Sequence, residues 1–261
     1  MNTQSLAESS SSGRRRRRRS RARNSFAAKA LSFVWPEQVG FARKLGTWLT
    51  VVALIYLAGH AGALGLAHLQ VIRVENQLEY WYKRGEVPSS AAMVSALNAI
   101  EQANRLHPDN PYQLTLQARL LEWRAYNDGN VIPQDYRAAL ALHQRAAALR
   151  PLWPDTWGEM AQIKARLNEF DSVLEGYLKR ANQLGPYTPA VHVAVAQTYL
   201  PRLPLLGGDQ LALLEAQLLR GVYDHRSRNQ IIGLVELYGQ QGPVCQWLQG
   251  EKGVQKLCPK R

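Results

Sequence analysis

Apolar residues form one long uninterrupted stretch near the start of the chain. Residues 45 to 72 contain no Asp, Glu, Lys or Arg over 28 positions, whereas Arg43, Lys44 and Arg73 flank them. A helix over residues 46 to 69 spans about 36 Å, at about 1.5 Å per residue, and a membrane's hydrocarbon core is about 30 Å thick. The pattern therefore predicts a transmembrane helix over residues 45 to 72.

A cleaved signal peptide is the main alternative for this stretch, since Ala61, Gly62 and Ala63 fit the small-residue pattern of a cleavage site. However, more than 40 residues precede the apolar stretch, which is too many for an ordinary signal, and residues 64 to 69 continue apolar beyond the site. We therefore expect the helix to be retained.

The segment after the span, residues 73 to 86, has the pattern of an amphipathic helix. Val74, Leu78 and Trp81 continue the series begun by Val71 at steps of three and four. We expect a helical stalk that continues the membrane helix. The neighbouring Tyr80 and Tyr82 leave two interpretations open, a seam that binds a partner or packing onto the first helical hairpin.

A short phrase of the form A-x-x-L-x-P-x-x-P then occurs three times. The three copies are residues 103 to 111 (ANRLHPDNP), 146 to 154 (AAALRPLWP) and 181 to 189 (ANQLGPYTP). Ala and Leu three apart lie on one face of a helix, the first proline stops that helix, and the second suits the first turn of the next. A separation of 43 and then 35 residues between copies is typical of helical hairpin repeats.

Small residues recur at a fixed distance after each phrase. Ala118, Ala161 and Ala196 each lie ten residues after the first proline, where two helices of a hairpin are expected to cross closely. With Trp157 and Tyr177 in the middle copy, this pattern resembles the tetratricopeptide repeat. The resemblance implies that these five residues pack the repeats.

The sequence departs from the tetratricopeptide pattern at three places. Lys164 and His192 occupy positions where apolar residues are expected, and the first copy has about nine additional residues, which a loop at residues 126 to 134 accommodates. The aromatic residues of the repeats are expected to form core between helices, with sugar platforms as the alternative. These residues are Trp123, Tyr126, Trp153, Trp157 and Tyr177.

These patterns predict an all-α chain, in which a single transmembrane helix is followed by a short α-solenoid of degenerate tetratricopeptide-like hairpins. The predicted regions are a disordered basic cytoplasmic tail at 1–44, the transmembrane helix at 45–72, the stalk at 73–86, the repeats at 87–200, and capping helices with a cysteine-bearing tail at 201–261.

Positive charge is concentrated before the membrane span. The chain has a net charge of +12, and residues 1 to 44, with eleven basic and two acidic residues, account for +9 of it. Eight arginines lie close together: Arg14, Arg15, Arg16, Arg17, Arg18, Arg19, Arg21 and Arg23. Because basic residues near a membrane helix favour the cytoplasmic side, we interpret them as a topology signal. The alternatives are binding of nucleic acid or of an acidic cytoplasmic partner, and a modification of secretory targeting.

Two cysteines, Cys245 and Cys258, lie near the end of the chain. On the predicted topology they face an oxidising, periplasm-like compartment, so that a disulfide bond between them is favoured over a free pair in a frayed tail.

Sequence motifs of catalysis are absent. G-x-S-x-G, H-E-x-x-H, G-x-x-x-x-G-K-[ST], G-x-G-x-x-G and C-x-x-C do not occur, and the six histidines are scattered. We therefore predict no catalytic residue, no metal site, no cofactor and no enzymatic activity.

The overall plan, together with the stretch LEYWYKRG at residues 78 to 85, resembles bacterial VpsP-type exopolysaccharide biosynthesis proteins. The resemblance implies an inner-membrane accessory or scaffold protein with a periplasmic domain. Its expected partners are the membrane and other proteins of a polysaccharide assembly machinery, with no nucleic acid. The alternatives are a cryptic periplasmic enzyme that acts on glycan and a membrane-tethered nucleic-acid binder.

Overall fold

A computed structural model describes residues 40–127, 133–248 and 257–258. Over these ranges the chain is all-helical, with ten α-helices, one 3-10 helix and no strand. The α-helices are α1 (Phe41–Arg84), α2 (Ser90–Leu106), α3 (Pro111–Asn127), α4 (Pro133–Leu149), α5 (Pro154–Arg166), α6 (Ser172–Leu184), α7 (Pro189–Tyr199), α8 (Gly208–Tyr223), α9 (Arg228–Leu237) and α10 (Gln241–Trp247). The 3-10 helix is Leu200–Leu205.

The chain divides into two compact units between Ala63 and Leu64. The first unit contains the beginning of α1, where apolar side chains such as Leu49, Ile55 and Tyr56 are exposed. Within the described ranges, α1 alone is long and apolar enough to cross a membrane, and its apolar window contains no buried residue. The predicted span at 45–72 falls within this helix.

The second unit is built from paired helices. α3 packs on α4, α5 on α6, and α7 on α8, and the pairs are joined because α4 contacts α5 and α5 contacts α7. A Cβ atom built on Gly158 of α5 would lie 2.9 Å from Cβ of Ala194 in α7. These two helices therefore approach too closely at this point for a larger side chain.

The three repeated phrases form the turns between successive pairs. Each phrase ends one helix at its leucine and begins the next at its second proline: Leu106 and Pro111, Leu149 and Pro154, Leu184 and Pro189. Adjacent turns also touch, since a Cβ atom on Gly185 would lie 2.7 Å from Cγ of Pro154. The phrase thus sets both the helix boundaries and the contact between neighbouring turns.

The segment predicted as a stalk belongs to the core of the second unit. Val71, Val74, Leu78 and Trp81 of α1 are buried in one cluster with apolar residues of α2 and α3. Trp81 is 1% exposed and meets Trp123 of α3 edge-on, with ring centroids 6.2 Å apart. Two interpretations were open for this segment, a partner-binding seam and packing onto the first hairpin. Trp81 packs onto the hairpin, whereas Tyr80 and Tyr82 are exposed.

Two polar residues at expected apolar positions are buried with partners. The Lys164 ammonium lies 2.8 Å from Glu169 Oε2 and 3.0 Å from Asp171 Oδ2, both beyond the end of α5. Asp171 also caps α6 by accepting hydrogen bonds from two backbone amides. His192 is 1% exposed and is hydrogen-bonded through Nδ1 to Gln217. Each side chain therefore ties its helix to a neighbouring element.

The region after the repeats contains more regular structure than the sequence predicted. Its prolines form the 3-10 helix, and α8 and α9 correspond to the two helices expected near residues 211 to 223 and 230 to 240. α10 was not predicted. Its Val244 is fully buried, in the same cluster as Val191 and Leu218.

Enlarging Ala161 tests the packing of the hairpins. Ala161 is fully buried, so Ala161→Trp should overpack the core and lower the free energy of unfolding of the full chain by about 1–3 kcal/mol or more. The measurement is urea denaturation in non-ionic micelles, followed by far-UV circular dichroism. Ala141→Trp, on the exposed face of α4, is the matched control and should have little effect. Equal destabilisation by the two variants would contradict the assigned packing.

Candidate functional site

The predicted packing alanines are all in the interior. Ala118, Ala161 and Ala196 are each 0% exposed. Trp157 and Tyr177 are partly buried against the same core cluster as Ala161, with ring centroids 5.9 Å apart. Trp157 Nε1 also donates a hydrogen bond to the Pro151 carbonyl at 3.0 Å, and this fixes the ring against the preceding turn.

The other aromatic residues expected in the core divide into two groups. Trp123 is buried at 9% exposure, whereas Tyr126 and Trp153 are 65% and 50% exposed. The expectation of core packing is therefore wrong for Tyr126 and Trp153. Helical spacing alone did not reveal this difference, because Tyr126 lies at the end of α3 and Trp153 lies in the turn before α5.

Five charged or titratable side chains from three helices form one network. They are Arg119 and Glu122 of α3, His143 of α4, and Glu159 and Arg166 of α5, and we name them the charge cluster. Arg119 and Glu122 are three residues apart and therefore share a helix face, as do Glu159 and Arg166, seven apart. This cluster was not predicted from the sequence.

His143 lies at the centre of the charge cluster and is 0% exposed. Its Nε2 lies 3.4 Å from Glu122 Oε1, and its Nδ1 lies 3.3 Å from Glu159 Oε2. The second approach is a close contact rather than an aligned hydrogen bond, since neither atom has a hydrogen-bonding partner. The imidazole thus bridges carboxylates from α3 and α5.

Each carboxylate of the charge cluster is also held by an arginine. Arg119 Nε donates to Glu159 Oε1 at 3.0 Å, with Nη2 donating to the same oxygen, and Arg166 Nη1 donates to Glu122 Oε2. Two acidic side chains are therefore balanced by two guanidinium groups. The pairing links α3 directly to α5, the first helices of two successive hairpins.

The pKa of Glu122 reflects this surrounding. Burial by itself would raise the pKa of the Glu122 carboxyl, but the Arg166 guanidinium, with a hydrogen bond and charge from His143, lowers it below its ordinary value. Burial would likewise lower the pKa of Arg166, yet the charge of Glu122 raises it. The pair therefore stays ionised, and a carboxylate held in this way is a poor proton donor.

A groove lies beside the charge cluster, between the end of α1 and α3. Its volume is about 630 Å³, and we name it the α1–α3 groove. It is lined by Glu75, Asn76, Leu78, Glu79, Tyr82, Lys83, Tyr112, Leu116 and Arg119. Arg119 belongs to both features, so the ion pair with Glu159 positions one wall of the groove.

Among the residues with defined placement, no group of three or more His, Cys, Asp or Glu side chains has an arrangement that could hold a metal ion. The members of the charge cluster with suitable ligand atoms already have partners: His143 is hydrogen-bonded to Glu122 and in close contact with Glu159, and an arginine holds each carboxylate. Their arrangement suits mutual charge neutralisation in the interior.

The remaining predicted sites lie near the ends of the chain. Cys245 of α10 and Cys258 have their sulfur atoms at disulfide distance and their Cα atoms 5.5 Å apart, as the sequence predicted. The arginines of the predicted topology signal, residues 14 to 23, lie outside the described residues, as does most of the predicted loop at 126–134.

Comparisons of the chain with protein-family models, with curated proteins and with solved structures find no match.

Replacing Glu122 tests the contribution of the charge cluster. Glu122→Gln removes the negative charge that is paired with Arg166, so the free energy of unfolding at pH 7 should fall by about 1–3 kcal/mol. Because the folded-state pKa of Glu122 is lowered, its stabilisation is present above the unfolded pKa of about 4.3 and is lost as the pH falls through the folded value. The difference between variant and parent should therefore narrow from pH 5 to pH 3.

The measurement is urea denaturation of the full chain across this pH range. Glu101→Gln is the control, because Glu101 and Arg105 form an exposed pair 3.6 Å apart on α2. An exposed pair contributes about 0–1 kcal/mol, so this change should have little effect. If the difference in the free energy of unfolding between the parent and Glu122→Gln stays constant down to pH 3, the ionised pairing is contradicted.

Proposed function

We propose that the chain is a single-pass membrane protein whose helical hairpins form a non-catalytic adaptor. The observation that carries the proposal is the combination of an exposed apolar helix segment with a stack of helix pairs joined by one repeated turn. A stack of this kind offers an extended surface to other proteins, because each pair contacts mainly its neighbours.

The hairpins are proposed to be a degenerate tetratricopeptide-like solenoid. Three features support this: the repeated proline-bounded turns, the complete burial of Ala118, Ala161 and Ala196, and the contact of α5, the first helix of one hairpin, with α7, the first helix of the next. Lys164 and His192 depart from the pattern, but Lys164 is paired with Glu169 and Asp171, and His192 is hydrogen-bonded to the buried Gln217.

A structural role for the charge cluster supports the adaptor over the enzyme. Glu122 and Glu159 are held by arginines on different helices, and the lowered pKa of Glu122 makes it unsuited to donate a proton. The attraction between each glutamate and its arginine links neighbouring hairpins, and a scaffold requires such links.

The proposed location is a bacterial inner membrane, with the amino terminus in the cytoplasm and the hairpins in the periplasm. The basic residues before the span favour this orientation, since Lys and Arg near a membrane helix bias that side to the cytoplasm. The bonded pair of Cys245 and Cys258 is compatible with an oxidising compartment.

The proposed process is exopolysaccharide biosynthesis or export, in which the hairpins contact other proteins of the assembly machinery. This part of the proposal rests on the resemblance of the overall plan and of residues 78 to 85 to VpsP-type proteins. Trp81 in this stretch is a core residue that joins α1 to α3, so the stretch also has a structural reason for its aromatic content.

Reporter fusions test the orientation. Alkaline phosphatase fused after Arg261 should be active, because it folds only in an oxidising compartment, and a fusion after Lys44 should be inactive. Replacing the arginines at residues 14 to 23 with glutamine should reduce the active fraction of the first fusion. Phosphatase activity after Lys44 and none after Arg261 would refute the proposed orientation.

Deletion of the gene tests the process. Loss of the chain should reduce the amount of secreted polysaccharide, and the parent sequence supplied in trans should restore it. Glu122→Gln and Glu159→Gln should restore export in proportion to the amount of folded protein, since neither carboxylate is catalytic. Unchanged surface polysaccharides after deletion would contradict the polysaccharide role. If Glu122→Gln or Glu159→Gln accumulates as folded protein at the parent level but fails to restore export, an enzymatic role would be favoured.

A further inference from the structure

The α1–α3 groove has an apolar base and aromatic sides. Leu78 and Leu116, at 3% and 2% exposure, are buried beneath it, whereas Tyr82 and Tyr112 are 60% and 38% exposed. Its volume of about 630 Å³ falls within the range of about 300–1,000 Å³ that is typical of ligand sites. The groove therefore offers room and two accessible aromatic surfaces.

The two tyrosines lie at different points along the groove. Tyr112 is hydrogen-bonded to Glu75, and Tyr82 lies seven residues further along α1 than Glu75, a rise of about 10 Å. Tyr82 also contacts Trp123 edge-on, with ring centroids 5.3 Å apart. An elongated ligand that lies along α1 thus meets the two rings in succession.

Both rings are held in place before any ligand binds. The Tyr112 hydroxyl donates to Glu75, and Trp123 supports one side of Tyr82. A side chain that is already ordered loses less conformational entropy on binding, so these contacts favour affinity.

The polar side chains of the groove are balanced in charge. Glu75 and Glu79 are opposed by Lys83 and Arg119, and most of this charge is used locally: Lys83 Nζ lies 2.6 Å from Glu79 Oε1, and Arg119 is paired with Glu159. A strongly charged ligand gains little from such a lining and loses its own hydration. An uncharged ligand does not have this cost.

Carboxylate oxygens can accept several hydrogen bonds each, and the Asn76 amide both donates and accepts. The groove therefore provides several acceptors for hydroxyl groups beside aromatic faces. Sugar rings match this arrangement, because a pyranose has an apolar C–H face for a tyrosine ring and hydroxyl donors at its edge. An extended peptide also presents a carbonyl acceptor at every residue, and few donors face it here, because Lys83 and Arg119 are paired with carboxylates.

We propose that the α1–α3 groove binds a neutral oligosaccharide chain, with Tyr82 and Tyr112 stacking on sugar rings and Glu75, Asn76 and Glu79 accepting hydrogen bonds from hydroxyls. The proposal deepens the proposed polysaccharide role and rests on it for its biological meaning. It adds direct contact with the polymer to the contact with partner proteins.

Calorimetric titration of the full chain tests the proposal. The chain is kept in micelles of a detergent without a sugar headgroup, since glycoside detergents would compete. The probes are cellohexaose and maltohexaose as neutral chains, tetragalacturonate as an anionic chain, and a random hexapeptide pool. We expect saturable binding of at least one neutral probe and weaker binding of the other two classes.

Variants locate the binding. Tyr82→Ala and Tyr112→Ala should each raise the Kd of the neutral probe about tenfold through loss of stacking, and Tyr82→Phe should retain affinity. Tyr187→Ala is the matched control, because Tyr187 is 71% exposed in the turn between α6 and α7, and it should leave the Kd unchanged. Asn76→Ala is the second variant, for use if a tyrosine variant fails to fold, because Asn76 is exposed and its replacement leaves both rings in place. It should weaken binding of the neutral probe about threefold.

Absence of binding to both neutral probes would overturn the proposal, as would binding that Tyr82→Ala, Tyr112→Ala and Asn76→Ala leave unchanged. Tighter binding of tetragalacturonate or of the peptide pool would assign the groove to another ligand class and would also overturn it. The proposed function fails separately, through normal export after gene deletion. If export depends on the chain but the chain binds no oligosaccharide, the adaptor role stands and only the proposed oligosaccharide site is refuted.

Discussion

Proline at the first position of α3, α5 and α7 fixes where the helical hairpins begin. It lacks a backbone donor and has a preset φ angle, so it suits the first turn of a helix, and the proline three residues before it stops the preceding helix. Because the preceding helices end five residues earlier in all three copies, the turns have the same length. Turns of one length bring successive pairs into contact in a similar way, and the burial of Ala118, Ala161 and Ala196 follows from that repetition.

Close packing of the hairpins also brings charge into the interior. Helices α3 and α5 carry Arg119, Glu122, Glu159 and Arg166 on facing surfaces, and His143 of α4 lies between the two carboxylates. Partly buried charges are stable only when they are paired, so the arginine–carboxylate pairs are a condition of this packing as much as a consequence of it. The same pairing leaves one guanidinium, that of Arg119, as a wall of the α1–α3 groove.

The end of α1 connects the apolar helix to the hairpins. Val71, Val74, Leu78 and Trp81 lie in one cluster with α2 and α3, so this segment forms part of the folded unit rather than a separate spacer. The opposite side of the segment remains exposed and carries Tyr82 together with hydrogen-bonding groups. One amphipathic stretch therefore both completes the core and supplies one side of the proposed oligosaccharide site.

The sequence by itself determined the all-α class, the apolar helix, the three turns and the cysteine pair, because each depends on residues close together in the chain or on a repeated spacing. Only the tertiary structure decided that Trp81 is buried while Tyr126 is exposed, and that Lys164 has acidic partners beyond its helix. The charge cluster and the α1–α3 groove also came from tertiary structure alone. Their residues are separated by up to 47 positions in the chain, and helix periodicity states which residues share a face but not which faces meet.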